Sequence, residues 1–166
     1  MIVVLASGIV LAACGGGSSA GSSTPVASAA EAAMGFLRAA ADSNVTRMAE
    51  LWGTSSGPAS KTNQPTDYQR RIVVMQSFLW SDSSKVVGQA AVPGDDDRRT
   101  VTVAIWRGGC MKQFPLTMVR TSGAWLVSNV DLALTGNPAR PCDGEPPPGT
   151  ESSLEDAAAA PSRVTR

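Results

Sequence analysis

The hydropathy pattern changes period once along this chain, and that change restricts the folds open to it. From Ser84 onward apolar and polar residues alternate, and a period of two predicts β-strands. The predicted strands cover residues 85–92, 100–107, 112–120 and 124–131. They are joined by short connections at residues 93–97, 108–109 and 121–123, which only antiparallel neighbours can accommodate. The second half of the chain therefore predicts a four-stranded antiparallel meander.

Three helices are predicted before the strands, over residues 26–41, 45–52 and 66–79. The first is rich in alanine and has Met34, Leu37 and Ala41 at helical spacing, with Phe36 beside them. The third has one apolar face, formed by Tyr68, Ile72, Met75 and Leu79. Such a face is typical of a helix that packs on a core.

Residue types that cap or break helices mark the predicted ends. Asp42, Ser43 and Asn44 precede the second helix, and Gly53 stops it. Thr66 is expected to cap the third helix. Residues 55–65 are polar and rich in helix breakers, which predicts a loop.

The sheet has one predicted core face. The apolar positions on it are Val101, Val103 and Ile105 in the second strand, and Trp125 and Val127, followed by Asn129, in the last. A curved antiparallel sheet covered on one side by helices buries such stripes. The predicted fold class is therefore α+β, with N-terminal helices packed on a curved, cone-shaped four-stranded sheet.

The N-terminal segment has the pattern of an export signal. Residues 2–13 form an uncharged apolar run that is too short to span a bilayer. The run ends in Leu11-Ala12-Ala13-Cys14, which resembles the bacterial lipobox. Residues 1–4 lack the Lys or Arg with which a signal peptide normally opens, so either the true start lies upstream or the signal is weak.

The lipobox resemblance implies a lipid-anchored protein of the bacterial cell envelope. It makes residues 1–14 the signal peptide and Cys14 the acylated residue that anchors the chain to the bilayer. Residues 15–27 are rich in Gly and Ser and are predicted to be a flexible tether. Residues 28–142 are the predicted α+β domain. Residues 143–166 lack aromatic residues and are predicted to be a disordered tail.

Two cysteines remain once Cys14 is assigned to the anchor. In an exported protein an even pair of cysteines fits one disulfide, here between Cys110 and Cys142. This bridge would hold the segment at residues 137–141 against the sheet. The pair is therefore predicted to be structural and not a metal site.

Composition excludes several classes of function. Fourteen basic and fourteen acidic residues balance, so the chain has no positive field with which to bind nucleic acid. The Arg70-Arg71 and Arg98-Arg99 pairs are interpreted as solvated surfaces. The chain has no histidine, which removes Ser-His and Cys-His nucleophilic pairs and the commonest zinc ligand. No catalytic residue, metal site or cofactor is predicted.

The order of elements resembles a known domain family. The segments "EAAMGFLRAAADSNVTRMAELW" and "SGAWLVSNVDL", with a helix and four strands, are similar to the nuclear transport factor 2-like (cystatin-like cone) domain of small bacterial lipoproteins. The residues that carry the resemblance are Ala33, Phe36, Asp42, Met48, Gly123, Trp125, Val127 and Val130. The resemblance implies a cone whose open end holds a pocket between helices and sheet.

Candidate ligand-contacting residues follow from that implied pocket. They are Tyr68, Trp106, Trp125 and Asp131. The favoured hypothesis is a non-catalytic lipoprotein that binds a protein partner or a small apolar ligand. The alternative is a pocket enzyme of the ketosteroid isomerase or polyketide cyclase type. That alternative requires a buried carboxylate, for which Asp82 and Asp131 are the residues to test.

The run Asp95-Asp96-Asp97 raises the question of a calcium site. Oxygen ligands on a loop suit that ion, but the run lacks the spacing of a calcium loop. Its position between two strands favours a turn instead.

Overall fold

The structure is a computed structural model that describes residues 28–142. The predicted signal peptide at 1–14 with Cys14, the tether at 15–27 and the tail at 143–166 lie outside the described residues. The helices are α1 (Ala29–Ala41), α2 (Val45–Leu51), α3 (Ala59–Thr62) and α4 (Tyr68–Leu79). The strands are β1 (Gly53–Thr54), β2 (Gly57–Pro58), β3 (Ser83–Val92), β4 (Asp95–Arg107), β5 (Cys110–Thr121) and β6 (Ala124–Val130).

The long strands form one antiparallel sheet in the order β3-β4-β5-β6. This confirms the predicted meander and the α+β class. Two-residue turns join the strands, and at Gly108 and Gly109 the backbone has φ values of 54° and 85°. Positive φ at both central residues gives the turn the twist of the flanking strands, and glycine adopts it without strain.

The helices cover one face of the sheet, and α1 lies at the centre of the core. Phe36 and Leu37 of α1 are fully buried, and Ala32, Ala33 and Ala40 are buried beside them. The predicted apolar stripe of α1, formed by Met34, Leu37 and Ala41, does not coincide with the buried face of the helix. Met34 and Ala41 are only partly buried. The small alanines allow α1 to approach its neighbours closely. Phe36 is the largest side chain that α1 places in the core.

The apolar face of α4 is confirmed, but its predicted cap is wrong. Ile72, Met75 and Leu79 are buried, and Tyr68 packs against the core while partly exposed. The residue before the helix is Asp67 and not Thr66, and it makes no side-chain capping bond. Its carboxylate instead accepts a hydrogen bond from Nε of Arg71 at 2.9 Å, one turn along the helix.

The segment predicted as a loop at residues 55–65 contains regular structure. It holds β2 and α3, and β2 pairs with β1 in a small hairpin. A Cβ atom on Gly53 would lie 2.2 Å from the carbonyl oxygen of Gly57, so only glycine permits this pairing. Elements as short as β2 and α3 cannot show a hydropathy period, which is why the sequence did not predict them.

The last strand has an extra residue that moves its core face. Thr117 pairs with Asn129 but Met118 pairs with Val127, so Ser128 is inserted as a bulge. Val130 therefore packs against the core, and Asn129, predicted on that face, is exposed. The strand ends at Val130, and a 3-10 helix that the sequence did not predict follows at Leu132–Thr135.

The segment after β6 is held to the sheet by a disulfide and by a buried arginine. Cys110 and Cys142 are bonded, with their Cα atoms 5.4 Å apart, as predicted. Arg107 is 4 % exposed and donates from Nη2 to the carbonyl oxygens of Phe78 and of Thr135, the latter at 3.4 Å. Burial lowers the pKa of Arg107 below its usual range.

Candidate ligand-binding site

A cavity of about 320 Å³ lies between helix α4 and strand β6. We call it the α4–β6 cavity. Its lining residues are Trp52, Asp67, Arg70, Arg71, Val74, Met75, Asn129, Val130 and Leu132. Cavities of roughly 300–1,000 Å³ with mostly apolar walls and a few polar groups are typical of small-molecule sites.

The walls of the α4–β6 cavity are built from the edge of the core. Trp52 and Met75 are buried, and Val130 and Leu132 are partly buried and pack against the core. Trp52 follows α2, and its backbone makes a parallel bridge with Val127, which places it beside strand β6. Because these side chains belong to the core or pack against it, they give the cavity an apolar wall.

The charged side chains that line the α4–β6 cavity include one more cation than anions. The Arg71 guanidinium donates to the Asp67 carboxylate and, mainly through this hydrogen bond, lowers the pKa of Asp67. Arg70 acts on Asp67 only through its charge and makes no hydrogen bond or ion pair within residues 28–142. The three groups together therefore carry one net positive charge, which sits on the guanidinium of Arg70.

A buried donor in the cavity wall also lacks a partner. Trp52 is 7 % exposed, and its indole Nε1–H has no hydrogen-bond acceptor among the described residues. Buried polar groups in proteins are nearly always hydrogen-bonded, since an unmet donor is costly. The indole nitrogen is itself buried inside the wall and is not exposed to the cavity.

A second, larger cavity lies beside the other end of β6. It has a volume of about 420 Å³, and we call it the α2–β6 cavity. Arg47 and Glu50 line it and form an ion pair at 2.7 Å, so their charges are already matched. Trp125 also lines it, but its ring is 8 % exposed and lies under Arg99 and Arg120, each guanidinium 5.6 Å from the ring centre.

The predicted ligand-contacting residues lie in different parts of the domain. Trp125 lines the α2–β6 cavity, and Tyr68, at the start of α4, packs against the core. Trp106 pairs with Met111 near the β4–β5 turn, at the opposite end of the sheet from Trp125, where the ammonium group of Lys85 lies 5.4 Å from its ring. Within the described residues, none of the four lines the α4–β6 cavity.

The two carboxylates considered for catalysis accept hydrogen bonds from backbone amides. Asp82 accepts a hydrogen bond from the Gly108 amide at 2.8 Å. Asp131 accepts one from the Ala133 amide at 3.1 Å and so caps the 3-10 helix. Both side chains belong to exposed residues, whereas the enzyme hypothesis needs a buried carboxylate.

The aspartate run, predicted to form the turn, lies instead at the start of strand β4, which begins at Asp95. The Asp95 carboxylate pairs with Arg98 at 3.0 Å, and that of Asp97 pairs with Arg120 at 2.9 Å. The turn itself is formed by residues 93–94. Across residues 28–142 there is no group of three metal-ligating side chains.

None of the nine residues that line the α4–β6 cavity was among the predicted site residues, and for three of them the sequence analysis pointed elsewhere. The candidate tryptophans were Trp106 and Trp125 and not Trp52, Arg70 was interpreted as part of a solvated surface, and Asn129 was placed on the core face of the sheet. A signal for Arg70 does exist in the sequence, because it lies one turn before Val74 on α4. Nothing local to Trp52 or Asn129 could have indicated that α4 lies next to them.

Comparison of the chain with protein-family models, with curated proteins and with solved structures gives no match. Between Ser28 and Cys142, none of the helices has the length and apolar character needed to cross a membrane.

Proposed function

We propose that this chain is a non-catalytic, membrane-anchored lipoprotein of the bacterial envelope that binds a small apolar ligand in the α4–β6 cavity. The domain is proposed to be of the nuclear transport factor 2-like, cone-shaped type. The observation that carries the binding proposal is the cavity itself, whose apolar walls come from Trp52, Met75 and Val130. A pocket between helices and sheet is also what the family resemblance implies.

The volume and the wall chemistry favour a ligand over a protein partner. A protein surface would need a broad, exposed patch, whereas the apolar walls here are concave and continuous with the core. Removing apolar surface from water stabilises a bound ligand by about 25 cal/mol per Å². An apolar molecule that fills the cavity therefore gains most of its affinity from the walls.

Filling the cavity from its open side is expected to abolish binding. Val74 lines the α4–β6 cavity and is 41 % exposed, so Val74→Trp should occupy the space without disturbing the core. We expect the full chain carrying Cys14→Ser to bind the neutral dye N-phenylnaphthylamine saturably. Val74→Trp should weaken that binding at least about tenfold. The measurement is a fluorescence titration.

Val73→Trp is the matched control. Val73 is the adjacent residue on α4, is 57 % exposed and does not line the cavity. The control should bind the dye like the parent, and both variants should keep their unfolding free energy within about 0.5 kcal/mol. If both variants bind the dye as the parent does, or if the parent shows no saturable binding, the proposed ligand site is wrong.

The anchor is proposed on the strength of Leu11-Ala12-Ala13-Cys14. Two or more acyl chains on Cys14 would hold the chain stably on a membrane. Cells that express the full chain should incorporate radiolabelled palmitate into it, and Cys14→Ser should abolish the label. Cys110→Ser should keep the label, since that cysteine is bonded to Cys142. A label that survives Cys14→Ser would contradict the anchor.

A further inference from the structure

Helix α4 turns a row of largely apolar side chains toward solvent. Four residues at spacings of three and four share the side of α4 that points away from the core, and we call them the outer row: Arg70, Val73, Ser77 and Trp80. Trp80 directly follows the last residue of the helix, and its amide still donates to the carbonyl oxygen of Gln76. It therefore continues the row. Val73 is 57 % exposed, and Trp80 is 46 % exposed.

The outer row reverses the usual pattern of a surface helix. A helix that packs on a core normally places charged and polar residues on its exposed side. In α4 the buried side is formed by Ile72, Met75 and Leu79, yet the exposed side also carries large apolar residues. The helix contains two arginines and no acidic residue. Exposed apolar patches of this kind mark surfaces that contact another molecule.

The segment that follows the sheet extends this apolar surface. The 3-10 helix at Leu132–Thr135 contacts α4, and its Leu134 is 47 % exposed. Arg107 joins the two elements, because its Nη2 donates to the carbonyl oxygens of Phe78 and Thr135. Leu134 is therefore held close to the end of α4, where Trp80 lies.

We infer that the outer row of α4, together with Leu134, is a second membrane contact, which lies on the surface of the phospholipid bilayer that holds Cys14. This inference rests on the proposed function, because it needs the lipid anchor, but it does not depend on a ligand in the α4–β6 cavity. Tryptophan is enriched at the interface between bilayer and water, where its ring lies at the level of the head groups. The guanidinium of Arg70 is attracted there by anionic lipids.

The chain between the anchor and the domain is long enough for this contact. Residues 15–27 join Cys14 to Ser28, which caps α1. They can span at most about 45 Å when fully extended, and the domain at residues 28–142 is about 35 Å across. The outer row can therefore reach the bilayer while Cys14 stays in it. Because such a tether gives an effective concentration of about 1 mM, even a weak contact forms.

The size of the apolar surface favours a bilayer over a protein partner. Each partner in a stable protein complex buries roughly 800 Å². Val73, Trp80 and Leu134 are each only about half exposed, and even a fully buried aromatic side chain contributes at most about 250 Å². This surface is too small to hold a second copy of the chain. It is sufficient for a contact that the anchor already keeps in place.

Quenching of tryptophan fluorescence by brominated lipids tests the contact. The acylated protein, produced from the full chain, is reconstituted into vesicles of phosphatidylethanolamine and phosphatidylglycerol whose acyl chains carry bromine near the head group. Flotation of the vesicles measures the anchor. We expect Trp80→Phe to lower the quenched fluorescence at least about twofold, because Trp80 is the most exposed of the four tryptophans.

A charge placed in the outer row should lift it from the bilayer. Val73→Glu is expected to lower the quenching of Trp80 at least about twofold, because its carboxylate cannot enter the interface and is repelled by anionic lipids. Val87→Glu is the matched control, since Val87 is 40 % exposed on β3 and lies outside the outer row. It changes the net charge equally and should leave the quenching unchanged. Equal effects of the two substitutions would overturn the role of the outer row.

Acrylamide, a quencher that stays in water, separates the remaining outcomes. If the protein floats with the vesicles but only acrylamide quenches Trp80, the outer row lies in water and the inference fails while the anchor stands. If neither quencher reaches Trp80, a second copy or another protein covers the row, and the inference also fails. If the protein does not float with the vesicles, both the anchor and the inference fail.

Discussion

Replacing Cys110 and Cys142 by serine together is expected to lower the free energy of unfolding by about 3–4 kcal/mol. The two cysteines are separated by 32 residues, and breaking their bond returns the closure entropy of that loop to the unfolded chain. The bond also holds the end of the domain near Arg107, whose neighbour in the β4–β5 pairing is Cys110. Without it, residues 132–135 would still be held by the hydrogen bond from Arg107 to Thr135 and by the packing of Leu132 on the core.

Urea denaturation of the full chain measures this loss. The control is Cys14→Ser, which removes a cysteine but keeps the bridge and should leave the unfolding free energy unchanged. A reductant should destabilise the parent by a similar amount and have no effect on the double variant. A double variant within about 1 kcal/mol of the parent would show that the bridge contributes little.

Phe36→Ala is expected to destabilise the domain by about 3–5 kcal/mol. Phe36 is fully buried on α1, the helix that contacts α2, α4 and the sheet, and small alanines surround it on the same helix. Truncation would leave a void that the backbone cannot close, because helices and sheet meet it from several sides. The loss therefore combines the transfer free energy of the ring with the cost of the cavity.

Met34→Ala is the matched control on the same helix. Met34 is only partly buried, so its loss should destabilise the domain by at least about 2 kcal/mol less than the loss of Phe36. Phe36→Leu keeps most of the volume and should destabilise the domain less than Phe36→Ala and more than Met34→Ala, so it supplies the comparison with Met34→Ala if Phe36→Ala fails to fold. Equal effects of Phe36→Ala and Met34→Ala would mean that the core is centred on the predicted stripe and not on Phe36.

The sheet and the long helices could be predicted because their signals are local. Alternation in β4 and the spacing of Ile72, Met75 and Leu79 report directly on which side chains are buried. Two-residue turns then fix the antiparallel order without any knowledge of distant contacts. The disulfide was also predictable, because assigning Cys14 to the proposed anchor left Cys110 and Cys142 as one pair.

Short elements and register shifts were not predictable in the same way. The β1–β2 hairpin depends on the close approach of Gly53 and Gly57, and a single inserted residue, Ser128, exchanges Asn129 for Val130 on the core face. Each is decided by tertiary contacts and not by the periodicity of its own segment. One extra residue in a strand moves every later side chain to the opposite face of the sheet.

The candidate site was even less predictable from the sequence than the short elements. Trp52 directly follows α2, Arg70 lies on α4, and the apolar wall includes Val130 at the end of β6. These positions are far apart in the chain, and only the packing of α4 beside β6 brings them together. The residue types were visible, but the sequence gives no reason to group Trp52 with Arg70.

The most direct test of the ligand site is a crystal structure of the full chain with decanol brominated at its terminal carbon. The neutral head group keeps the test independent of the positive charge of Arg70. The account predicts an anomalous bromine peak inside the α4–β6 cavity, against Met75 and Val130. A peak found only in the α2–β6 cavity or on the outer surface, with the α4–β6 cavity closed by its own side chains, would contradict it.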